Sequence, residues 1–417
     1  MLIEFRVVNF RSIREEQTLS MVAAKDNSHA TTHLTPTGVR SIPNLIRSAV
    51  IYGPNAGGKS NLLDALAFMR NVVANSATQL VEGQLFNCQP FKLDPESVKS
   101  PVEFEMTFLL NGVRHQYGFS IRPERIVEEW LLVYKAAKPQ QWFNRRFDTA
   151  SGKDTYEFSS HLTGQRKLWE DSTRSNALFL STAVQLNSDL LRPVFLWITQ
   201  KLAIVAAGMQ PNFDYTIAMA KDEENKSAVL RFLTAADLSI ADLELEMRKV
   251  QEVGLQMEAG KLPVQTVTEV EKPFIRFLHR SDAGTANMEL HEESLGTRRL
   301  FAFAGPVIDV LRNGRVLVVD ELDGSLHPLM VRFLIQMFHS PDLNPKGAQL
   351  IFTTHDTSLL DKDLFRRDQV WFVEKDRTQA TQLYPLTNFS PRRNEALERG
   401  YLMGRYGALP FLSDFRI

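Results

Sequence analysis

Gly53-Pro54-Asn55-Ala56-Gly57-Gly58-Lys59-Ser60 has the residue types and spacing needed to hold a chain of phosphates. Phosphate oxygens are best met by backbone N–H groups, and side chains would hold the loop away, so glycine recurs where the approach is close. A helix beginning at the end of the loop adds about half a positive charge at its N-terminus. Lys59 is placed to reach the terminal phosphates and Ser60 to ligate Mg²⁺ through its hydroxyl, with Asn61 opening the helix. A second segment, Arg315-Val-Leu-Val-Val-Asp320-Glu321, ends an apolar run on two carboxylates. Asp320 suits the magnesium shell, and Glu321 beside it suits a general base or water positioner.

The elements around these residues can be read from periodicity. Ser48-Ala-Val-Ile-Tyr52 is a short apolar strand leading into the loop. From Asn61 the spacing becomes helical, with Leu62, Leu63, Leu66, Met69, Val72 and Val73 on one face. Residues 102–158 predict an antiparallel meander, with Asn111-Gly112 as a tight hairpin turn. Helices are expected at Asn176–Leu186, Asp189–Leu202, Glu224–Ala235, Ile240–Val253 and Gly296–Leu311. Apolar strands are expected at 264–281, Val316–Asp320, Gln349–Thr354 and Gln369–Glu374. Strands alternating with helices point to a mostly parallel sheet.

Composition sets outer bounds. The 417 residues suggest two or three structural units. With 44% hydrophobic and 23% charged residues, the chain has enough apolar side chains to build cores. Lys and Arg number 48 against 49 Asp and Glu, so no overall field draws the chain to nucleic acid or an anionic membrane. One cysteine, Cys88, excludes an intrachain disulfide framework and any multi-cysteine zinc site. The charged opening Met1-Leu-Ile-Glu-Phe-Arg6 lacks a leader's apolar core, and the longest apolar stretch, Leu300–Leu311, is broken by Gly305, Pro306 and Asp309. A soluble, cytoplasmic protein is expected, with no membrane partner.

Taken in order, the motifs resemble an ATP-binding-cassette-type head, as in chromosome-maintenance and break-repair ATPases and the overcoming-lysogenisation-defect nucleases. They resemble more closely the stand-alone bacterial "AAA family" ATPases of phage-defence and abortive-infection operons. The resemblance spans nearly the whole chain. It rests on Asn9-Phe-Arg-Ser12, Tyr52 to Ser60, Glu293-Ser-Leu-Gly-Thr297, Asp320-Glu-Leu-Asp-Gly-Ser-Leu-His-Pro328, Thr353-Thr-His355 and the closing Gly400-Tyr-Leu-Met-Gly-Arg-Tyr-Gly-Ala-Leu-Pro410.

The fold implied is α/β: a P-loop NTPase of the ABC-ATPase type, with a mixed or parallel core sheet, an antiparallel meander and a helical insertion. Its expected parts are a first lobe over 1–160, a mainly helical insertion over 161–262 and a second lobe over 263–417. The resemblance implies ATP and Mg²⁺ as cofactors and a homodimer, or a higher oligomer, that hydrolyses ATP. It also implies control of an effector from the same operon, a nuclease or toxin, in antiphage defence. Ser294, Gly296 and Thr297 match the signature segment that meets the γ-phosphate of the opposing subunit, although the paired glycines and glutamine of transporter signatures are missing. His355 matches the switch histidine that senses the γ-phosphate. Gln89 matches the glutamine linking magnesium and water to lobe movement, with Gln79 and Gln84 nearby. Arg11 matches the basic residue near the phosphates or ribose, and His327 a residue supporting the dimer interface.

Two rival readings are a DNA-acting repair or chromosome ATPase and a non-catalytic scaffold that binds ATP only to assemble a partner. The first would carry a long heptad arm, which the chain lacks; the second would not need Glu321. Basic residues at Arg366-Arg367, Lys375, Arg377, Arg392-Arg393, Arg399 and Arg405, among Tyr384, Phe389 and Tyr401, could follow a nucleic-acid backbone, contact a partner protein or form a solvated tail.

Overall fold

The computed structural model describes residues 1–205, 213–236, 238–256, 264–389 and 396–410. The chain divides into two units: residues 1–208, 310–324 and 331–417 make the first, and 209–309 with 325–330 the second.

Two sheets dominate the first unit. One has six strands in the order Leu202–Val205, Val316–Val319, Gln349–Thr353, Ser48–Tyr52, Val370–Lys375 and Thr381–Pro385. The first five run parallel and the last is antiparallel. Parallel strands covered on both faces need apolar residues throughout, and Ser48–Tyr52, Val316–Val319 and Gln349–Thr353 are buried at every position. Their registers pair Val319 with Phe352, Thr353 with Ile51 and Phe372 with Tyr52, so the carboxyl ends finish along one edge. Ligands of open parallel sheets bind beyond that edge.

The other sheet is an antiparallel meander of seven strands. Its order is Lys153–Phe158, Gln140–Asp148, Arg125–Tyr134, Val113–Arg122, Val102–Leu110, Leu2–Val8 and Gln17–Ser20. Asn111 and Gly112 both have positive φ, 51° and 74°, as a two-residue turn matched to strand twist requires. Helix Lys59–Asn75 buries Leu62, Leu63, Leu66, Met69, Val72 and Val73 in a core shared with Phe104, Phe119 and Leu131 of the meander.

Helices Arg166–Ser172, Phe179–Gln185 and Arg192–Gln200 join that core. Trp197 stacks on Phe108 with ring centroids 4.1 Å apart, and Phe179 sits 4.8 Å from Phe143. These contacts make the helices part of the first unit, where the sequence suggested a separate insertion from 161 onward.

The second unit holds helices Asp214–Met219 and Glu223–Ala235 and an antiparallel sheet ordered Ile240–Gln256, Val264–Ser281, Gly284–Glu289. Helix Leu295–Asn313 begins in it, with Phe301 edge-on to Phe277 at 5.2 Å. The helix expected over Ile240–Val253 is therefore a strand. Leu243, Leu245 and Met247 alternate with Glu244, Glu246 and Arg248, and the segment pairs with Val264–Ser281 from Ile240 to Gln256.

Candidate phosphate-binding site

Strand Ser48–Tyr52 delivers the glycine loop to the sheet's carboxyl edge, and helix Lys59–Asn75 leaves from its far end. Two glycines are required by shape. A Cβ on Gly53 would overlap the Val373 carbonyl, and one on Gly58, where φ is +113°, would overlap the Thr381 hydroxyl. Lys59 is buried, and its ammonium donates to the carbonyls of Gly53 at 2.8 Å and Pro54 at 3.2 Å. Burial lowers its pKa, while Asp320, Glu321 and Asp323 act in the opposite direction.

A chain of hydroxyls braces the loop. Thr381 Oγ1 donates to the Gly57 carbonyl at 3.0 Å, lies 2.8 Å from Ser12 Oγ, and Ser12 Oγ accepts from Asn61 Nδ2 at 2.6 Å. One proton per hydroxyl sets the direction: Asn61 to Ser12, Ser12 to Thr381, Thr381 to Gly57. The Thr381 N–H closes the bracket on the Ser12 carbonyl at 2.7 Å.

The Asn9–Ser12 segment also fixes the groove's other wall. Asn9, at φ 57°, accepts from the Phe91 N–H at 3.1 Å and donates to the Ser97 carbonyl at 2.7 Å. The Arg11 N–H donates to the Gln89 carbonyl at 2.8 Å, and its guanidinium pairs with Asp64. Gln89 is exposed and lines the groove.

Asp320 follows the buried strand Val316–Val319 and is itself 4% exposed. Thr353 Oγ1 donates to its carboxylate and accepts from the Glu321 N–H at 2.8 Å. Glu321 adopts a left-handed φ of 53°, which turns the chain at the strand end and leaves its side chain half exposed. Its carboxylate stands 4.0 Å from His355 Nε2, and the His355 N–H donates to Asp323 at 3.2 Å.

The resulting groove, about 760 Å³, is lined by Pro54 through Asn61 together with Arg11, Gln89, Glu321 and His355. Gly53 and Asp320 are buried and are not among the lining residues. Ser294, Gly296 and Thr297 belong to the second unit. There Ser294 Oγ accepts from the Thr297 N–H at 3.0 Å and caps helix Leu295–Asn313. His327 is exposed in the same unit, its Nδ1 accepting from the Leu329 N–H at 3.2 Å.

Among the described residues no cluster of three or more His, Cys, Asp or Glu could hold a metal alone. Ser60 and Asp320 offer hard oxygen donors, and magnesium commonly takes one or two such ligands while phosphates and water supply the rest. That donor set fits magnesium.

Sequence reading gave Gln379 and Thr381 no role, took Ser12 only as the end of the Asn9–Ser12 motif and Lys375 only as one of a basic cluster, and all four lie at this loop. Thr381 reaches Gly57 from more than 300 positions away, a partnership with no local signal. The basic run fares differently from expectation. Arg366 is fully buried, donating to Asp368 at 2.7 Å and to the Asp26 carbonyl at 2.8 Å, and Arg367 pairs with Asp26 at 2.7 Å. Tyr401 is buried and stacks on Phe372 at 5.4 Å, so it is core rather than a platform for bases. Arg392 and Arg393 lie outside the described residues.

A glycine loop between a buried parallel strand and a helix, with an Asp-Glu pair at the end of the strand two places along the same sheet, defines a P-loop NTPase. The chain belongs to the family described as "AAA domain, putative AbiEii toxin, Type IV TA system", whose model matches residues 48–361. Among solved structures it is similar to the SMC head domain from Thermotoga maritima, with 14% identity, a TM-score of 0.43 and coverage of 92% of this chain and 98% of that one. An SMC head with an extended coiled coil, bound to the C-terminal domain of ScpA derived from Pyrococcus furiosus, matches at 11% identity, TM-score 0.38, covering 92% and 96%. The cbiO1 component of a Clostridium perfringens ABC transporter complex matches at 11% identity, TM-score 0.33, covering 97% and 99%. No curated protein sequence matches significantly. Among the described residues no helix is long and apolar enough to cross a membrane.

Proposed function

We propose that this protein binds ATP with Mg²⁺ and hydrolyses it slowly as a cytoplasmic homodimer whose nucleotide state controls a separate effector, a nuclease or toxin. The observation that carries the nucleotide part is the convergence of Lys59, Ser60, Glu321 and His355 on one groove. Among the described residues the hydrogen bonds of the buried Lys59 ammonium go to two backbone carbonyls and no carboxylate is in ion-pair contact with it, so a phosphate would supply a direct negative partner. Magnesium, held through Ser60 and Asp320 with Gln89 at the groove wall, would supply charge neutralisation at the phosphates.

Glu321 has an exposed carboxylate at the groove edge, suited to orient a water and take its proton. His355, 4.0 Å away, is suited to meet the terminal phosphate. In the dimer, Ser294, Gly296 and Thr297 of one subunit would face the ATP held by Lys59 of the other, which ties nucleotide state to subunit arrangement. Support for effector control is the family itself, whose description places it among toxin–antitoxin systems.

Two variants test the reading. Lys59→Ala should abolish binding of labelled ATP in equilibrium titration. Glu321→Gln should retain ATP while phosphate release falls about 10²–10⁴-fold, the span of a lost general base. Normal ATP affinity in folded Lys59→Ala, or normal turnover in Glu321→Gln, refutes the corresponding role.

A further inference from the structure

The groove holds a second half-buried cation that none of the motifs includes. Lys375 ends strand Val370–Lys375, and its ammonium lies 3.3 Å from Thr381 Oγ1, the hydroxyl that braces Gly57. Neither neighbouring acid is committed to it. Asp376 organises the hairpin turn, accepting from the N–H groups of Thr378 and Ala380 at 2.8 and 3.0 Å and from Gln382 Nε2 at 3.1 Å. Glu374 accepts from the Ala408 N–H at 2.8 Å. Among the described residues no carboxylate forms an ion pair with Lys375, and burial lowers its pKa. The lining carries Arg11, Lys59, Lys92 and Lys375 against a single carboxylate, Glu321.

The sheet gives this cation a position relative to the chemistry. Along the carboxyl edge, strand Val316–Val319 precedes Asp320 and Glu321, Gln349–Thr353 precedes His355, Ser48–Tyr52 precedes the glycine loop, and Val370–Lys375 ends on Lys375. Parallel neighbours are spaced about 4.8 Å apart, so three spacings, roughly 14 Å, separate the first strand from the last. Glu321 and His355 mark the end where the terminal phosphate reacts. Lys375 stands beyond the loop, on the opposite flank. The electrostatic neighbours agree: Asp320, Glu321 and Asp323 act on Lys59, whereas Asp376 acts on Lys375.

We propose that Lys375 binds an inner phosphate, on the nucleoside side of the groove. It thereby strengthens di- and triphosphate binding alike and does not tell them apart. This rests on the ATP-binding reading above. Lys59 would be the cation that senses the terminal group, and Lys375 the one that retains the nucleotide whatever its phosphorylation state.

The test is calorimetric titration of the full chain with ATP·Mg²⁺ and with ADP·Mg²⁺. Lys375→Met keeps the apolar stem and removes the charge. Its Kd should rise about tenfold for both nucleotides, the scale of one charge-assisted hydrogen bond, with the ATP-to-ADP affinity ratio within about twofold of wild type. Lys375→Arg should recover most of the loss, which separates charge from packing. Melting of each variant without nucleotide shows whether the fold is intact. Wild-type affinity of folded Lys375→Met for both nucleotides overturns the proposal. So does a loss confined to ATP, which would move Lys375 to the terminal phosphate. A wild-type protein that binds neither nucleotide fails the underlying reading instead. Should Lys375→Met unfold, a Lys375→Arg protein of wild-type stability with tenfold weaker binding of ATP alone also overturns it.

Discussion

Arg145 in the meander and Lys59 in the glycine loop are both buried cations, and their surroundings differ. Arg145 is fully enclosed, donating to the Ala177 carbonyl at 2.6 Å, to Asp154 at 2.8 Å and to the Arg174 carbonyl at 3.1 Å. Glu129, equally buried, stands 3.9 Å from it and accepts from Tyr117 at 3.0 Å and from the N–H groups of Phe179 and Leu180 at 2.6 and 2.9 Å. Burial raises the Glu129 pKa, and Arg145 acts against that rise. Lys59 has two backbone carbonyls within hydrogen-bonding reach and no carboxylate in ion-pair contact among the described residues. A buried charge ringed by carboxylates and carbonyls serves the fold; one without a carboxylate in contact suits a ligand that brings the opposite charge.

The contrast predicts opposite mutational signatures. Arg145→Ala leaves Glu129 buried without its counterion, and stability should fall on the order of 3–5 kcal/mol. Lys59→Met removes a charge that burial already disfavours, and the nucleotide-free protein should change by less than about 1 kcal/mol. Denaturant unfolding without ligand measures both. Equal losses would erase the distinction between the two cations.

A third buried group tests it through pH. His33 stacks on His339 with centroids 3.7 Å apart, and His29 lies 4.7 Å from His33. The other facing charges are Arg47 and Arg366, both cationic, which oppose protonation; the Leu364 carbonyl, 3.0 Å from His33 Nε2, favours it but is outweighed by burial. Burial holds His33 down to about 4, from 6.5, and His339 well below its ordinary value. Both rings are therefore neutral in the folded protein at pH 6, while unfolded histidine begins to take up protons near pH 6.5. The stability present above pH 6.5 is lost as pH falls through the window towards 4, by up to about 1.4 kcal/mol per pH unit for each ring. Melting between pH 7.5 and 5 should show this slope, and His339→Phe should flatten it. A wild-type profile that stays level over that range would mean the stack accepts a proton after all.

What the chain disclosed in advance follows the same division. Gly53, Gly58 and Asn111-Gly112 were legible because backbone sterics dictate residue type at each. Strands Val316–Val319 and Gln349–Thr353 were legible because two-sided burial demands unbroken apolar runs. Segment 240–253 misled because Ile240, Leu243, Met247 and Val250 satisfy a helical spacing, while Leu243, Leu245 and Met247 satisfy a strand's. A partner strand decided between them. Arg366 looked like a surface cation because its partners are mostly backbone carbonyls, which leave no trace in residue type. Thr381 escaped notice, and Ser12 and Lys375 showed only as part of a motif and of a basic cluster, for a related reason: a hydroxyl or ammonium acquires its role from tertiary position alone.

The smallest effect bears on the residue furthest from this pattern. Ser294 already has a bond, since it caps its own helix through Thr297. Its proposed role as a phosphate ligand needs a second subunit. In a symmetric dimer each ATP would be held by Lys59 from one chain and Ser294 from the other. Mixing Lys59→Ala with Ser294→Arg subunits then produces one site carrying both defects and one carrying neither. Independent sites would restore up to about half the wild-type ATPase per mixed dimer, although each parent dimer is inactive. Sites obliged to act together would leave hydrolysis absent but retain one bound nucleotide per dimer. Co-purification of differently tagged subunits, with rate and bound nucleotide both measured, distinguishes these outcomes. A mixed dimer with neither activity nor a retained ATP, or a wild type fully active as a monomer, would confine Ser294 to the helix cap it makes in its own unit.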